Sequence, residues 1–193
     1  LISQGIFPAP IHDCKAAVRW LRANAATYGL DTRRIGVWGA SAGGHLAALL
    51  GTSGGVADLE GDLGNPGYSS RVQAVVDYFG PTDLAKWRPS NDPAVNAGLS
   101  ESRLMGFDVV KYPERAARGN PITYISKDDP EFFIGHGRED KLVPVSQSEL
   151  LHAALVQAGV ASVLRVVPGA GHSVPGLGLD ADVRLFFDRC LRR

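Results

Sequence analysis

Arg34-Ile35-Gly36-Val37-Trp38-Gly39-Ala40-Ser41-Ala42-Gly43-Gly44-His45-Leu46-Ala47-Ala48-Leu49-Leu50 is the stretch that decides the fold. Its first part, Arg34 to Gly39, is a short apolar run bounded by glycine, which predicts a buried strand. Ala42 to Leu50 is rich in Ala and Leu and predicts a helix. Between them Gly39-Ala40-Ser41-Ala42-Gly43 matches G-x-S-x-G, a pattern that gains meaning when a strand precedes it and a helix follows. The turn is so sharp that the serine backbone must be strained. Glycines two residues to either side let neighbouring backbone pass without a Cβ clash. The serine hydroxyl then projects beyond the carboxyl end of the strand, next to a helix N-terminus whose N–H groups and dipole favour developing negative charge.

The same alternation continues outward. Before it, Pro8 and Pro10 lead into a helix in which Ile11, Cys14, Ala17, Val18 and Leu21 recur at helical spacing. His12, Lys15, Arg19 and Arg22 are expected on its other faces, and Gly29 stands where a helix would stop. After it, strands are expected at 72–79, 131–135 and 162–167, with helices at 144–158 and about 179–191. Strands alternating with helices over short loops predict an α/β fold with a mostly parallel sheet and helices on both faces, in a single domain. Residues 81 to about 125 break the rhythm and are expected to form a cap-like excursion over the sheet edge. If only these strands exist, the one at 34–38 is expected at an edge of the sheet, with unpaired backbone groups.

A chain of 193 residues with 45% apolar and 21% charged residues can bury a core and is not compositionally disordered. Twenty Lys+Arg balance twenty Asp+Glu, so there is no broad basic footprint for nucleic acid or an anionic membrane. No apolar run has the length of a membrane span. The chain opens Leu1-Ile2-Ser3-Gln4, without an initiator Met or a leader pattern, and is expected to be cut from something longer. Both a cytoplasmic and a secreted location fit that opening. A homo-oligomer is compatible with the sequence but not derivable from it. Cys14 and Cys190 each fall on the apolar side of a predicted helix. They read as buried free thiols, and a bond between them requires those helices to pack side by side. With no C-x-x-C or H-E-x-x-H pattern, neither a metal nor another cofactor is expected.

A serine needs a base, and the base needs an orienting group. Asp140 follows the strand at 131–135 and His172 follows the strand at 162–167. Both therefore lie past the carboxyl ends of parallel strands, where open α/β sheets carry their sites. The order Ser41, Asp140, His172 is the order this fold uses. His12 and His152 fall within helices, and His45 is expected behind the serine turn. His136, at a strand end, either lines the site or is structural, and the structural role is the one expected. Asp83 is the alternative acid, Glu139 would point elsewhere, and Asp128 and Asp129 lie at the wrong end of the sheet. Ala42 offers its backbone N–H for an oxyanion. A second donor of the HGGG type is absent upstream.

The run from Phe7-Pro8-Ala9-Pro10 through Asp13-Cys14-Lys15-Ala16-Ala17-Val18-Arg19-Trp20-Leu21-Arg22 to Gly39-Ala40-Ser41-Ala42-Gly43-Gly44-His45 resembles the α/β-hydrolase esterases. The bacterial feruloyl-esterase-like and hormone-sensitive-lipase-like carboxylesterases are particularly similar. Gly61-Asp62-Leu63-Gly64, Phe79-Gly80-Pro81-Thr82-Asp83, Asn120-Pro121-Ile122-Thr123-Tyr124 and Gly169-Ala170-Gly171-His172 extend the match across the chain. The resemblance implies Ser41 as nucleophile, Asp140 as acid and His172 as base, acting on a small-molecule carboxylic ester through an acyl-enzyme. It also implies several strands and an HGGG loop ahead of Leu1. Two other readings stand beside it. One is a peptidase of the prolyl-oligopeptidase type, which usually carries Tyr where Ala42 stands. The other is an inactive fragment with an incomplete oxyanion hole.

Overall fold

Four parallel strands lie side by side in chain order: β1 (Gly36–Ala40), β2 (Ala74–Tyr78), β3 (Glu131–Gly137) and β4 (Ser162–Val167). The coordinates are a computed structural model describing residues 5–86 and 93–192. The opening residues Leu1 to Gln4 and residues 87–92 of the 81–125 excursion lie outside the described residues. Gly36 of β1 stands opposite Ala74 of β2, Ala74 opposite Glu131 of β3, and Phe132 opposite Ser162 of β4. Among the described residues β1 is an edge strand, paired only with β2.

Four long helices pack on this sheet: α1 (Ala9–Ala23), α2 (Ala42–Thr52), α3 (Ser146–Gln157) and α4 (Asp180–Leu191). Successive strand residues point to opposite faces, and here both faces are covered. Val75, Phe132 and Ile134 meet Ile11 and Val18 of α1, Leu49 of α2, and Leu151 and Leu155 of α3. Ala74, Val76 and Phe133 face the other way, onto Leu177, Leu179 and Phe186 at α4. Two covered faces explain why β2 is fully buried and reads as a continuous apolar run rather than an alternating one. Cys14 packs against the first core and Cys190 against the second, so the sheet lies between them. Both are half-buried, and neither is in a disulfide.

Two details differ from expectation. β3 extends two residues beyond 135, so His136 and Gly137 pair with Val166 and Val167 instead of opening the loop. On α1, Lys15 and Arg19, expected on faces other than the apolar one, are buried. Their partner is Glu60. Its Oε1 lies 2.7 Å from the Lys15 ammonium and its Oε2 lies 3.2 Å from the Arg19 guanidinium. Arg19 also donates to the carbonyls of Glu60 and Leu63. A helical pattern cannot reveal a carboxylate that arrives from a distant turn.

In the excursion, the described part of 81–125 holds short helices at Pro93–Gly98, Ser100–Met105 and Pro113–Ala116. Leu84, Met105, Val109 and Ala116 make a small core there, against Phe7. Among the described residues no helix is long and apolar enough to cross a membrane.

Candidate active site

Between β1 and α2 the backbone turns on Ser41, with φ 56° and ψ −123°, a conformation unfavourable for a residue with a side chain. The strain is held by two backbone bonds. Ser41 N–H donates to the Tyr78 carbonyl at 2.8 Å, and the Ser41 carbonyl accepts from His45 N–H at 3.0 Å. Packing explains the glycines, with one change from expectation. A Cβ on Gly39 would lie 2.1 Å from the Gly43 carbonyl oxygen, while one on Gly43 would meet open space. The second steric requirement falls on Gly44, where a Cβ would lie 2.3 Å from the Asp77 carboxylate. Ala42 opens α2, so its N–H has no carbonyl to serve within the helix.

The loops after β3 and β4 converge on this turn. Ser41 Oγ lies 2.9 Å from His172 Nε2, and His172 Nδ1 lies 2.7 Å from Asp140 Oδ2. A carboxylate only accepts, so the His172 proton sits on Nδ1 and Nε2 is free to accept the serine proton. Asp140 Oδ1 accepts from Leu142 N–H at 2.8 Å and Val143 N–H at 2.9 Å. The carboxylate is thus ringed by donors and held at a fixed angle. The alternative acid Asp83 is engaged elsewhere: its carboxylate accepts from Ala85 N–H and Asn120 Nδ2 and pairs with Lys86. Glu139 accepts from Gly169 N–H, and Asp129 from Ser126.

Of the other histidines, His12 and His152 lie in helices. His45 is buried in α2 and donates from Nδ1 to the Pro81 carbonyl at 2.9 Å. Burial pushes its pKa down, so it stays neutral. A cavity of about 580 Å³ opens on Ser41 and His172. Its walls are largely apolar, with Leu46, Leu84, Leu104 and Val143 among them.

Two features escaped the sequence reading. Phe79 was expected to end a strand, yet β2 stops at Tyr78 and Phe79 turns at φ 44°. That turn brings its ring to 4.4 Å from the His172 ring. The only signal was the following Gly80-Pro81, which marks a turn but not its sense.

Asp77 is the other. It is buried in β2 behind the serine turn, where Oδ1 accepts from Gly80 N–H at 2.9 Å. Burial pushes its carboxyl up to about 7, against a partial offset from that hydrogen bond. A raised folded pKa makes stability complete below the unfolded value near 4 and progressively lost as pH rises towards 7. Asp77→Asn keeps the acceptor for Gly80 and removes the titration. Its stability is expected to exceed that of the wild type by about 4 kcal/mol at pH 8 and to match it near pH 4. Urea unfolding at the two pH values checks this, and an advantage independent of pH would contradict it.

The chain can be placed among known proteins on this geometry. The BD-FAE family model matches residues 1–155. Esterase LipQ of Mycobacterium tuberculosis is 37% identical over 171 residues, which cover 86% of this chain and 39% of LipQ. This chain therefore spans less than half the length of that relative. A solved truncated form of a carbohydrate esterase from gut microbiota superposes with a TM-score of 0.88 at 39% identity, covering 97% of this chain and 70% of that one. Esterase Est2 of Thermogutta terrifontis superposes at 0.69 with 28% identity, over 91% and 60% of the two chains. The fold is that of the α/β-hydrolases, and the chain belongs to the BD-FAE family of carboxylesterase relatives.

Proposed function

We propose that this protein is a serine hydrolase that cleaves carboxylic esters through an acyl-enzyme, with Ser41 as nucleophile, His172 as base and Asp140 as acid. The observation that carries the reading is the pair of hydrogen bonds linking the three side chains, 2.9 Å from Ser41 to His172 and 2.7 Å from His172 to Asp140. Ser41 Oγ attacks the ester carbonyl while its proton moves to His172 Nε2. The imidazolium so formed is stabilised by the Asp140 carboxylate. The proton then goes to the leaving alcohol. Water repeats the sequence to free the acid and restore the serine. The Ala42 N–H, at the positive end of α2, is one donor to the oxyanion.

The apolar cavity wall suits a short acyl chain, and Est2 of Thermogutta terrifontis has been solved with butyrate and with propionate bound. A p-nitrophenyl butyrate assay tests the reading. Ser41→Ala is expected to melt like the wild type and to lose turnover by at least roughly a thousandfold. Turnover unchanged by the substitution would overturn it.

A further inference from the structure

Directly behind Asp140 lies a second imidazole. His136, at the end of β3, is fully buried. Its Nε2 lies 2.9 Å from the Val143 carbonyl, and its Nδ1 lies 2.7 Å from the Ser148 hydroxyl on α3. A carbonyl only accepts, so Nε2 carries a proton. Burial pushes the pKa of the ring below the usual histidine value, which favours the neutral form, and in that form Nδ1 accepts from Ser148.

Val143 is held from both sides. His136 binds its carbonyl, and Asp140 Oδ1 binds its N–H. His136 Nε2 also lies 3.4 Å from Asp140 Oδ2, the oxygen that accepts the hydrogen bond from His172 Nδ1–H. The turn from Asp140 to Val143 is thus tied through one imidazole to β3 and to α3. The ring edge also meets Phe79, whose ring lies against His172.

We propose that His136 is a positioning residue for the ester hydrolysis: through its Nε2–H bond to the Val143 carbonyl it fixes the turn that aims Asp140 at His172. The proposal rests on the reading of Ser41, His172 and Asp140 given above. The titratable groups facing His136 are Asp140 and His172 from the two loops and Glu149 from α3. A neutral ring suits this place, because a cation there would compete with the His172 imidazolium for the same carboxylate.

Two polar replacements separate positioning from bulk. His136→Gln carries an N–H to where Nε2 stands, whereas His136→Asn reaches only the Nδ1 position and leaves the Val143 carbonyl without its donor. Active sites are counted by fluorophosphonate titration, so that kcat refers to competent protein. The Gln variant is expected to restore most of the wild-type kcat. The Asn variant is expected to fold, to lose about tenfold in kcat and to keep its KM within about twofold. In the Asn variant the loosened Asp140 stabilises the imidazolium less. The acid limb of kcat/KM is therefore expected to move about half a pH unit to lower pH.

Equal behaviour of the two variants, whether both intact or both impaired, would overturn the proposal. Failure of either variant to fold would also overturn it, since that assigns His136 to structure alone. Ser41→Ala run in parallel separates the levels. If it keeps turnover, the underlying reading fails. If it loses turnover while the two His136 variants behave alike, only the role of His136 fails.

Discussion

Asp140→Asn is expected to lower kcat by roughly ten-thousand-fold with little change in KM, an effect of the size seen when the acid of a serine triad is made neutral. The geometry gives the reason. Asp140 Oδ1 accepts two backbone N–H groups, from Leu142 and Val143. An asparagine must place its carbonyl oxygen there, because its amide nitrogen cannot accept. The amide NH₂ then occupies the position of Oδ2, facing His172 Nδ1 at 2.7 Å. A donor facing a donor drives His172 to carry its proton on Nε2, the nitrogen that must accept from Ser41. The variant should therefore fold, bind ester and fail at chemistry. Steady-state kinetics with a p-nitrophenyl ester measures it, and a loss below tenfold would contradict the assignment of Asp140.

The second large effect is on stability. Glu60→Ala removes the carboxylate that serves the buried Lys15 and Arg19. Glu60 Oε1 receives Lys15 at 2.7 Å, Ser70 Oγ–H at 2.9 Å and Gly55 N–H at 3.0 Å, while Oε2 receives Arg19 at 3.2 Å. Arg19 keeps carbonyl partners without it, but among the described residues Lys15 is left with the Ser53 carbonyl. Removing one partner of such a network leaves a desolvated charge, at a cost of about 3 kcal/mol. Burial already lowers the Lys15 pKa, with Glu60 opposing it. Without Glu60 the ammonium deprotonates more readily, so the deficit should shrink as pH rises. Urea unfolding at pH 7 and pH 9 measures both, and a loss under 1 kcal/mol at pH 7 would contradict the account.

What could be read from the residues divides along a physical line. The serine turn was legible because its requirements are local: an apolar run, two glycines and an Ala-Leu helix in immediate succession. The strands before Asp140 and His172 were legible for the same reason, and their loops bring those side chains to hydrogen-bonding distance of one another and of Ser41. Features set by distant partners were not legible. Lys15 and Arg19 read only as residues off the apolar face, because Glu60 comes from a turn more than forty residues away. Asp77 sits within an apolar strand, where nothing local signals a carboxylate buried behind the turn. Phe79 turns at φ 44° because Gly80 and the Asp77 carboxylate close the bend beneath it, which no propensity encodes. The excursion at 81–125 lacks strand signals, and its small core of Leu84, Met105 and Val109 is assembled partly by Phe7 from the other end of the chain.

The central claim is that the acyl group of the substrate passes through Ser41. Acid-quenching the protein during turnover of p-nitrophenyl butyrate, followed by peptide mass mapping, tests it directly. The account predicts a butyryl adduct on the peptide containing Ser41, absent from Ser41→Ala and accumulating when deacylation is slowed at low pH. An adduct on another residue that persists in Ser41→Ala together with turnover would contradict it.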